Sequence, residues 1–322
     1  MSEVFTKDAF DKPLADMKPS PASCLQDSAT VADALARMLE KNIGSVLVFD
    51  QEGKLSGIFT DRDLLLRVGN ASEELDKIPL KNVMTSSPLT LSFKAPIKQA
   101  FELVIKKHIR HMPVSLSDSI SPDTIAIISA RDILRFIVNW FPESVASMGT
   151  TTADEVMISD AHDDAFLDEL QEAGSQYLTG AVFSLPLAKV IANPPLFLPP
   201  TTSLDVVYEK MVREKAETVL VVEYDTQLLG ILTERDFMTK VIGKKLWGKG
   251  VAVSEVMSPR PMALMPRHKI AHGINNMFKY GHRHVVLVDE EKCPVGSISV
   301  LEILHFIYHR IYGSSAQVRK SV

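Results

Sequence analysis

The sequence predicts an α/β protein of the α+β kind, built from four β-α-β-β-α repeats that pair into two modules. Three observations predict it. Four amphipathic helical stretches are each followed by a β-branched hairpin and a second helix. The distance from the first helix to an acidic residue at the end of the hairpin is nearly constant: thirty-two positions separate Val31 from Asp63, Leu204 from Asp236 and Ile270 from Glu302, and thirty-five separate Ile97 from Asp132. The acidic markers themselves stand 69, 104 and 66 residues apart, so the array is two pairs divided by a spacer. One unit of this size buries too little surface alone, and pairing within each half is expected.

Each repeat opens with a helix whose apolar residues recur at i, i+4, i+7 and i+8, which sets four side chains on one face. These are Val31, Leu35, Met38, Leu39; Ile97, Phe101, Val104, Ile105; Leu204, Tyr208, Met211, Val212; and Ile270, Ile274, Met277, Phe278. A short β-branched strand follows at 45–49, 111–116, 218–223 and 284–288. Turn residues come next (Glu52-Gly53, Ser121-Pro122, Asp225-Thr226, Cys293-Pro294), then a second strand. That strand runs into the closing helix through Gly57-Ile-Phe-Thr60-Asp-Arg-Asp63, Ala126-Ile-Ile-Ser129-Ala-Arg-Asp132, Gly230-Ile-Leu-Thr233-Glu-Arg-Asp236 and Gly296-Ser-Ile-Ser299-Val-Leu-Glu302. The extra residues of the second repeat fit its polar loop, Ser117 to Pro122.

The expected boundaries are an N-terminal tail (1–19), a first module (20–140, repeats 20–70 and 80–140), a spacer (141–189), a second module (190–312, repeats 190–245 and 252–312) and a C-terminal tail (313–322). Between Arg135 and Lys189 there is no Lys or Arg, but nine acids, against a net charge of −5 for the whole chain. Asp160 to Glu172 can form a helix with Phe166, Leu167 and Leu170 on one side. The spacer reads as a solvated connection or as a docking surface for a basic partner. Asp160, His162 and Asp164 lack further ligands to make a metal site.

Composition narrows the function. With 35 basic and 40 acidic residues there is no global basic field for nucleic acid. Apolar runs such as Val219 to Val222 fall far short of the roughly 18 residues a bilayer span needs, so no membrane partner is expected. The N-terminus lacks the apolar core of a signal peptide, and Cys24 and Cys293 form no CxxC; a cytoplasmic location is expected. No G-x-S-x-G, Walker loop, GxGxxG after a strand or HExxH is present. The chain reads as non-enzymatic.

The order helix, hairpin, G-[IS]-x-[ST]-x-x-[DE] and closing helix resembles the cystathionine-β-synthase (CBS) domain, two of which form a Bateman module. The resemblance covers about 20–140 and 190–312, and four repeats without an attached enzyme resemble the layout of nucleotide-sensing gamma subunits. It implies binding of an adenine ligand (AMP, ADP, ATP or S-adenosylmethionine) in clefts between paired repeats.

The repeated motif has two readings. An acid three positions after Ser or Thr at a strand-to-helix junction is a capping box. Capping leaves unexplained the Gly six positions ahead of the acid, which is unfavourable in a strand unless something approaches the backbone closely. A purine lying on the strand at Gly57 or Gly230 is such a thing. Asp63, Asp132 or Asp236 can then accept the ribose hydroxyls, with Thr60, Ser129 or Thr233 adding a contact; Thr202 is counted with them. Arg62, Arg131 and Arg235 are either phosphate ligands or exposed helix arginines. Repeats two and four enter their first strand through Arg110-His111 and Arg283-His284, where the others have Gly44-Ser45 and Glu217-Thr218. In related four-repeat sensors, basic residues at this junction face the phosphates. Ser299 and Glu302 are weaker candidates, because the acid is longer and Leu301 replaces the arginine.

Two further expectations concern partners. The apolar run Leu134, Phe136, Ile137, Trp140 and Phe141 needs cover, which predicts a homodimer. The rival to a ligand sensor is a scaffold with empty clefts that docks a partner through the acidic spacer.

Overall fold

The computed structural model describes residues 4–69, 74–141, 145, 177–190, 192, 195–224, 227–246 and 249–313. Two short strands, β1 (Val4–Thr6) and β2 (Ser20–Pro21), precede the repeats. Repeat one comprises β3 (Cys24–Gln26), α1 (Val31–Glu40), β4 (Ser45–Phe49), β5 (Leu55–Thr60) and α2 (Asp61–Asp63), which continues with π winding over Leu64–Val68. After β6 (Thr85–Ser86), repeat two follows with β7 (Leu91–Ser92), α3 (Ile97–Lys107), β8 (His111–Ser115), β9 (Ile125–Ser129) and α4 (Ala130–Val138). The strand β10 (Tyr177–Thr179) leads to repeat three: β11 (Leu196–Leu198), α5 (Leu204–Glu214), β12 (Thr218–Glu223), β13 (Gln227–Thr233) and α6 (Glu234–Asp236), again continued by π winding over Phe237–Ile242. Repeat four follows β14 (Ser258–Pro259) with β15 (Ala263–Leu264), α7 (Ile270–Tyr280), β16 (His284–Val288), β17 (Pro294–Ser299) and α8 (Val300–Tyr312).

Local chemistry starts and stops these helices as expected. Thr30 caps α1 in a capping box with Asp33, whose Oδ2 accepts from the Thr30 amide at 2.8 Å. Its buried face is Val31, Ala34, Leu35 and Met38, while Leu39 stays exposed. α7 ends at Gly281, whose φ of 70° is the left-handed conformation that glycine adopts freely.

In every repeat a parallel strand and an antiparallel hairpin share one sheet, in the orders β3-β4-β5-β6, β2-β9-β8-β7, β11-β12-β13-β14 and β15-β16-β17. Edge strands are exchanged within the first half: β6, from the approach to repeat two, pairs with β5, and β2, ahead of repeat one, pairs with β9. That exchange ties the two repeats into one module.

Apolar side chains close the four repeats into a ring. The sheets of repeats one and two meet through Leu47, Phe49, Ile58 and Ile125, and those of repeats three and four through Leu220, Ile231, Met265, Val286 and Val288. The helices face the other module. Those of repeat one pack on repeat three around Met38, Leu64, Met211 and Phe237; those of repeat two pack on repeat four around Phe101, Leu134, Ile274 and Leu304.

Two sequence expectations change here. Residues at the end of the expected N-terminal tail are core: Phe10 and Leu14 are fully buried against repeats two and four. The end of the expected spacer behaves alike, with Phe183 and Leu187 fully buried in the same cluster, and β1 pairs antiparallel with β10. The apolar run at the end of α4 is covered within the chain, since Leu134, Ile137 and Phe141 lie in that cluster with Phe136 and Trp140 packed on it. The homodimer expectation therefore loses the patch on which it rested. The nine acids of the spacer and its expected helix lie outside the described residues. No helix among the described residues is long and apolar enough to cross a membrane.

Candidate functional site

The ring brings together, at its centre, the residues that begin each hairpin and each closing helix. Repeats one and three contribute acids (Asp61, Glu217, Glu234) and repeats two and four contribute bases (Arg110, His111, Arg283, His284). Arg110 donates to Glu234 Oε2 at 2.5 Å and lies 3.3 Å from Glu217 Oε2. Arg62 reaches Glu234 Oε1 at 2.7 Å, Arg283 meets Asp61 Oδ2 at 2.5 Å, and His284 Nε2 is 3.4 Å from Glu217 Oε2. All but the last, which joins repeats three and four within the second module, cross between the two modules.

Burial and neighbours set the protonation states. Burial alone would raise the Asp61 carboxyl, but Arg283, Arg110 and His111 outweigh it and hold it at about 2. Glu217 is likewise held at about 2, burial being overcome by the His284 contact and by Arg110. His111 is pushed down to about 4 by burial, and the repulsion of Arg283 and Arg110 adds to this against the pull of Asp61 and Asp132. It is neutral at pH 7.

A pH dependence follows. The folded value of His111 lies below its ordinary 6.5, so the unfolded chain takes up that proton first as pH falls, and stability is lost between about 6.5 and 4. Asp61 and Glu217 are depressed carboxylates whose contribution is lost later, as pH falls from their ordinary range toward about 2. His111 keeps some contact with solvent, so its share should be on the order of 1–2 kcal/mol. Thermal melts should show a midpoint that declines from pH 7 to pH 4, and His111→Gln should flatten that decline in part. An unchanged slope would contradict the assignment.

All four motif acids are helix caps. Asp63, Asp132 and Asp236 each accept from the backbone amide and the hydroxyl of Thr60, Ser129 or Thr233 through Oδ2, and Glu302 accepts the Ser299 amide at 2.7 Å. They differ in the other oxygen. Asp63 Oδ1 takes the Thr85 hydroxyl at 3.1 Å and Arg67 at 3.4 Å. Asp236 Oδ1 takes Ser258 at 3.1 Å and Lys240 at 2.6 Å. Asp132 Oδ1 meets only Arg135, at 3.9 Å, among the described residues. Of the three aspartates, Asp132 in repeat two therefore has the least engaged second oxygen.

The strand glycines have a packing explanation. A Cβ on Gly57 would lie 2.2 Å from Met84 Sδ, and one on Gly230 would lie 2.3 Å from Met257 Sδ. The close approach inferred at these positions is thus to a methionine from the exchanged or adjoining edge segment. The motif arginines clamp the modules: Arg62 reaches repeat three, Arg131 donates to the Met277 carbonyl at 3.2 Å and to that of His282, and Arg235 donates to Asn42 Oδ1. At the fourth such position Leu301 is buried. Thr202 donates to the Pro199 carbonyl at 2.8 Å, in the turn before α5.

Seven of the candidates converge. Arg110, His111, Ser129, Arg131, Arg283, His284 and Ser299 line one cleft of about 210 Å3, together with Ala130, Glu217, Val300 and Leu301. Gly57, Thr60, Arg62, Asp63, Asp132, Thr202, Gly230, Thr233, Arg235, Asp236 and Glu302 do not line it. Sequence reasoning passed over Asp61, Glu217 and Glu234. Their signal was there: an acid in repeats one and three where repeats two and four carry Ala130 and Val300, and one in repeat three where they carry Arg110 and Arg283. No group of three or more His, Cys, Asp or Glu placed to hold a metal exists among the described residues.

Four α+β repeats, closed as two modules around a charged junction with a cleft, define a tandem-repeat architecture of paired units. The chain belongs to the CBS-domain family, whose model matches residues 14–70, 80–139, 187–243 and 253–309. It is 24% identical over 310 residues to CBS domain-containing protein CBSCBSPB2 of Arabidopsis thaliana, covering 95% of this chain and 55% of that one. To Meiotically up-regulated gene 70 protein of Schizosaccharomyces pombe it is 23% identical over 311 residues, covering 88% and 42%. The chain spans about half the length of the curated relatives it matches. Its fold is similar to the crystal structure of protein MJ1225 from Methanocaldococcus jannaschii, proposed as an archaeal homolog of g-AMPK, with a TM-score of 0.64, 18% identity and coverage of 92% and 99%.

Proposed function

We propose that the chain is a non-enzymatic regulatory protein that binds an adenosine-containing ligand (AMP, ADP, ATP or S-adenosylmethionine) in the cleft at the ring's centre. The observation that carries this reading is the convergence of Arg110, His111, Ser129, Arg131, Arg283, His284 and Ser299 on one cleft. The Asp132 carboxylate caps the helix that starts beside Ser129; it does not line the cleft itself, but its Oδ1 meets only Arg135, at 3.9 Å, among the described residues, and we assign that oxygen to the ribose hydroxyls. The cleft touches three repeats from both modules, so a ligand there changes the relative stability of module arrangements and passes that difference to a partner.

The test is a thermal-shift panel over the four ligands, followed by titration of Asp132→Asn against Asp63→Asn. At 100 times Kd a single site adds roughly 2.7 kcal/mol of stability, a readily visible shift. Asp132→Asn should weaken binding by about 10-fold or more, since a hydrogen bond to a charged group contributes about 1.5–3 kcal/mol. Asp63→Asn should leave affinity unchanged. Flat melts with all four ligands would sink the reading, as would equal affinities in the two variants. Flat melts would then favour a scaffold.

A further inference from the structure

We propose that Glu217, in the cleft wall, and Glu234, behind Arg110, are resident anions of this site: they engage the cations that a ligand's phosphates would need, so the adenosine ligand accepted here carries no phosphate at its 5′ end. The inference rests on the adenosine reading and narrows it.

Three carboxylates, Asp61, Glu217 and Glu234, face three guanidinium groups, Arg62, Arg110 and Arg283, with contacts of 2.5–2.7 Å for the tightest pair of each arginine. The charges balance. Arg110, in the cleft wall, lies between the oxygens of Glu234 and Glu217. Glu234 is almost wholly buried, at 4% exposure, and cannot swing into solvent to make room. Glu217 is itself part of the cleft wall, so an entering phosphate would face a carboxylate. The remaining basic residues of the lining offer little in exchange. His111 is neutral at pH 7, His284 points Nε2 at Glu217, and Arg131 gives Nη2 to two backbone carbonyls of repeat four, which leaves its buried Nε without a partner. A guanidinium already paired with carboxylates in a partly desolvated site gains little from a second anion, whose approach costs repulsion from the first. A neutral or cationic 5′ substituent meets no such cost, and a cationic one would face Glu217.

The experiment is titration calorimetry on the full chain with adenosine, AMP and inorganic pyrophosphate, using the unaltered protein, Glu217→Gln and Glu234→Gln. The unaltered chain should bind adenosine at least about 10-fold more tightly than AMP and give no heat with pyrophosphate. Either variant, with one carboxylate charge removed, should shift the AMP-to-adenosine preference by about 10-fold or more toward AMP and begin to bind pyrophosphate. A tenfold preference of the unaltered chain for AMP, or its binding of pyrophosphate, overturns the proposal. So does a variant that folds and keeps the original preference. If both variants fail to fold, the comparisons on the unaltered chain decide alone. If neither adenosine nor AMP binds any form, the adenosine reading fails, and pyrophosphate still separates the two ideas: binding gained only in the variants supports resident anions, and none in any form overturns them.

Discussion

Arg110→Ala is expected to destabilise the protein by about 3–5 kcal/mol, the cost of leaving buried carboxylates without their partner. The guanidinium bridges Glu234, almost wholly buried, and Glu217; besides it, Glu234 has Arg62 at 2.7 Å, and Glu217 has His284 Nε2 at 3.4 Å and Arg62 at 3.7 Å. Arg110 is itself held well above its ordinary value, burial being outweighed by Glu234, Glu217 and Asp61. A second change makes the origin of the loss visible. Glu234→Gln added to Arg110→Ala removes the stranded charge and should recover part of the stability, giving a favourable coupling in the double-mutant cycle. An exposed pair provides the contrast: Lys77 and Glu74 are 2.7 Å apart in solvent, and Lys77→Ala should cost no more than about 0.5 kcal/mol. Urea denaturation of the four variants measures all of this. A cost below about 1 kcal/mol for Arg110→Ala would mean that water, not Arg110, solvates the two acids.

How far the sequence discloses the molecule can be judged at particular residues. Period and capping chemistry are local, and they placed the hairpins: the strands His111–Ser115 and His284–Val288 begin where expected, and the capping acid stands three positions after Thr60, Ser129, Thr233 and Ser299. What a local pattern cannot encode is which repeat faces which. Gly57 and Gly230 were read as making room for a purine because the methionines that fill that room, Met84 and Met257, lie 27 positions downstream of each glycine. The arginines at 62, 131 and 235 look solvent-facing along their own helices, and their partners are in the other module. One further repeat was legible and was overlooked. Phe10-Asp-Lys-Pro-Leu14-Ala recurs as Phe183-Ser-Leu-Pro-Leu187-Ala, and both copies bury their Phe and Leu in one cluster. Each copy also holds the start of a helix in the same way: Leu14 donates to Ala95 at 2.8 Å and Leu187 to His268 at 2.7 Å. Reading that motif as a repeat would have moved the module boundaries outward.

Phe101→Ala should be the most damaging change in the apolar contact between modules, costing about 3–5 kcal/mol as expected when a fully buried aromatic is cut back to a methyl group. The ring is wholly buried on α3. Its centroid lies 5.1 Å from that of Phe10, in the N-terminal arm, and 5.2 Å from that of Tyr308 on α8, edge to face at 88°. Edge-to-face pairs add about 0.5–1.5 kcal/mol beyond the area they bury, so two aromatic neighbours lose a partner at once. The position matters more than the number. Phe101 belongs to the first module and Tyr308 to the second, so the cavity opens at their shared boundary. Amide hydrogen exchange reads where the loss falls. If the four repeats form one cooperative ring, protection should drop in α7 and α8 as much as in α3, and denaturation should remain a single transition at lower denaturant. If the modules fold independently, the drop should stay within residues 7–141 and leave α7 and α8 protected as before. The second outcome would remove the physical link by which a ligand at the central cleft acts on both modules together, since that link needs each half to sense the other through packed surfaces such as this one.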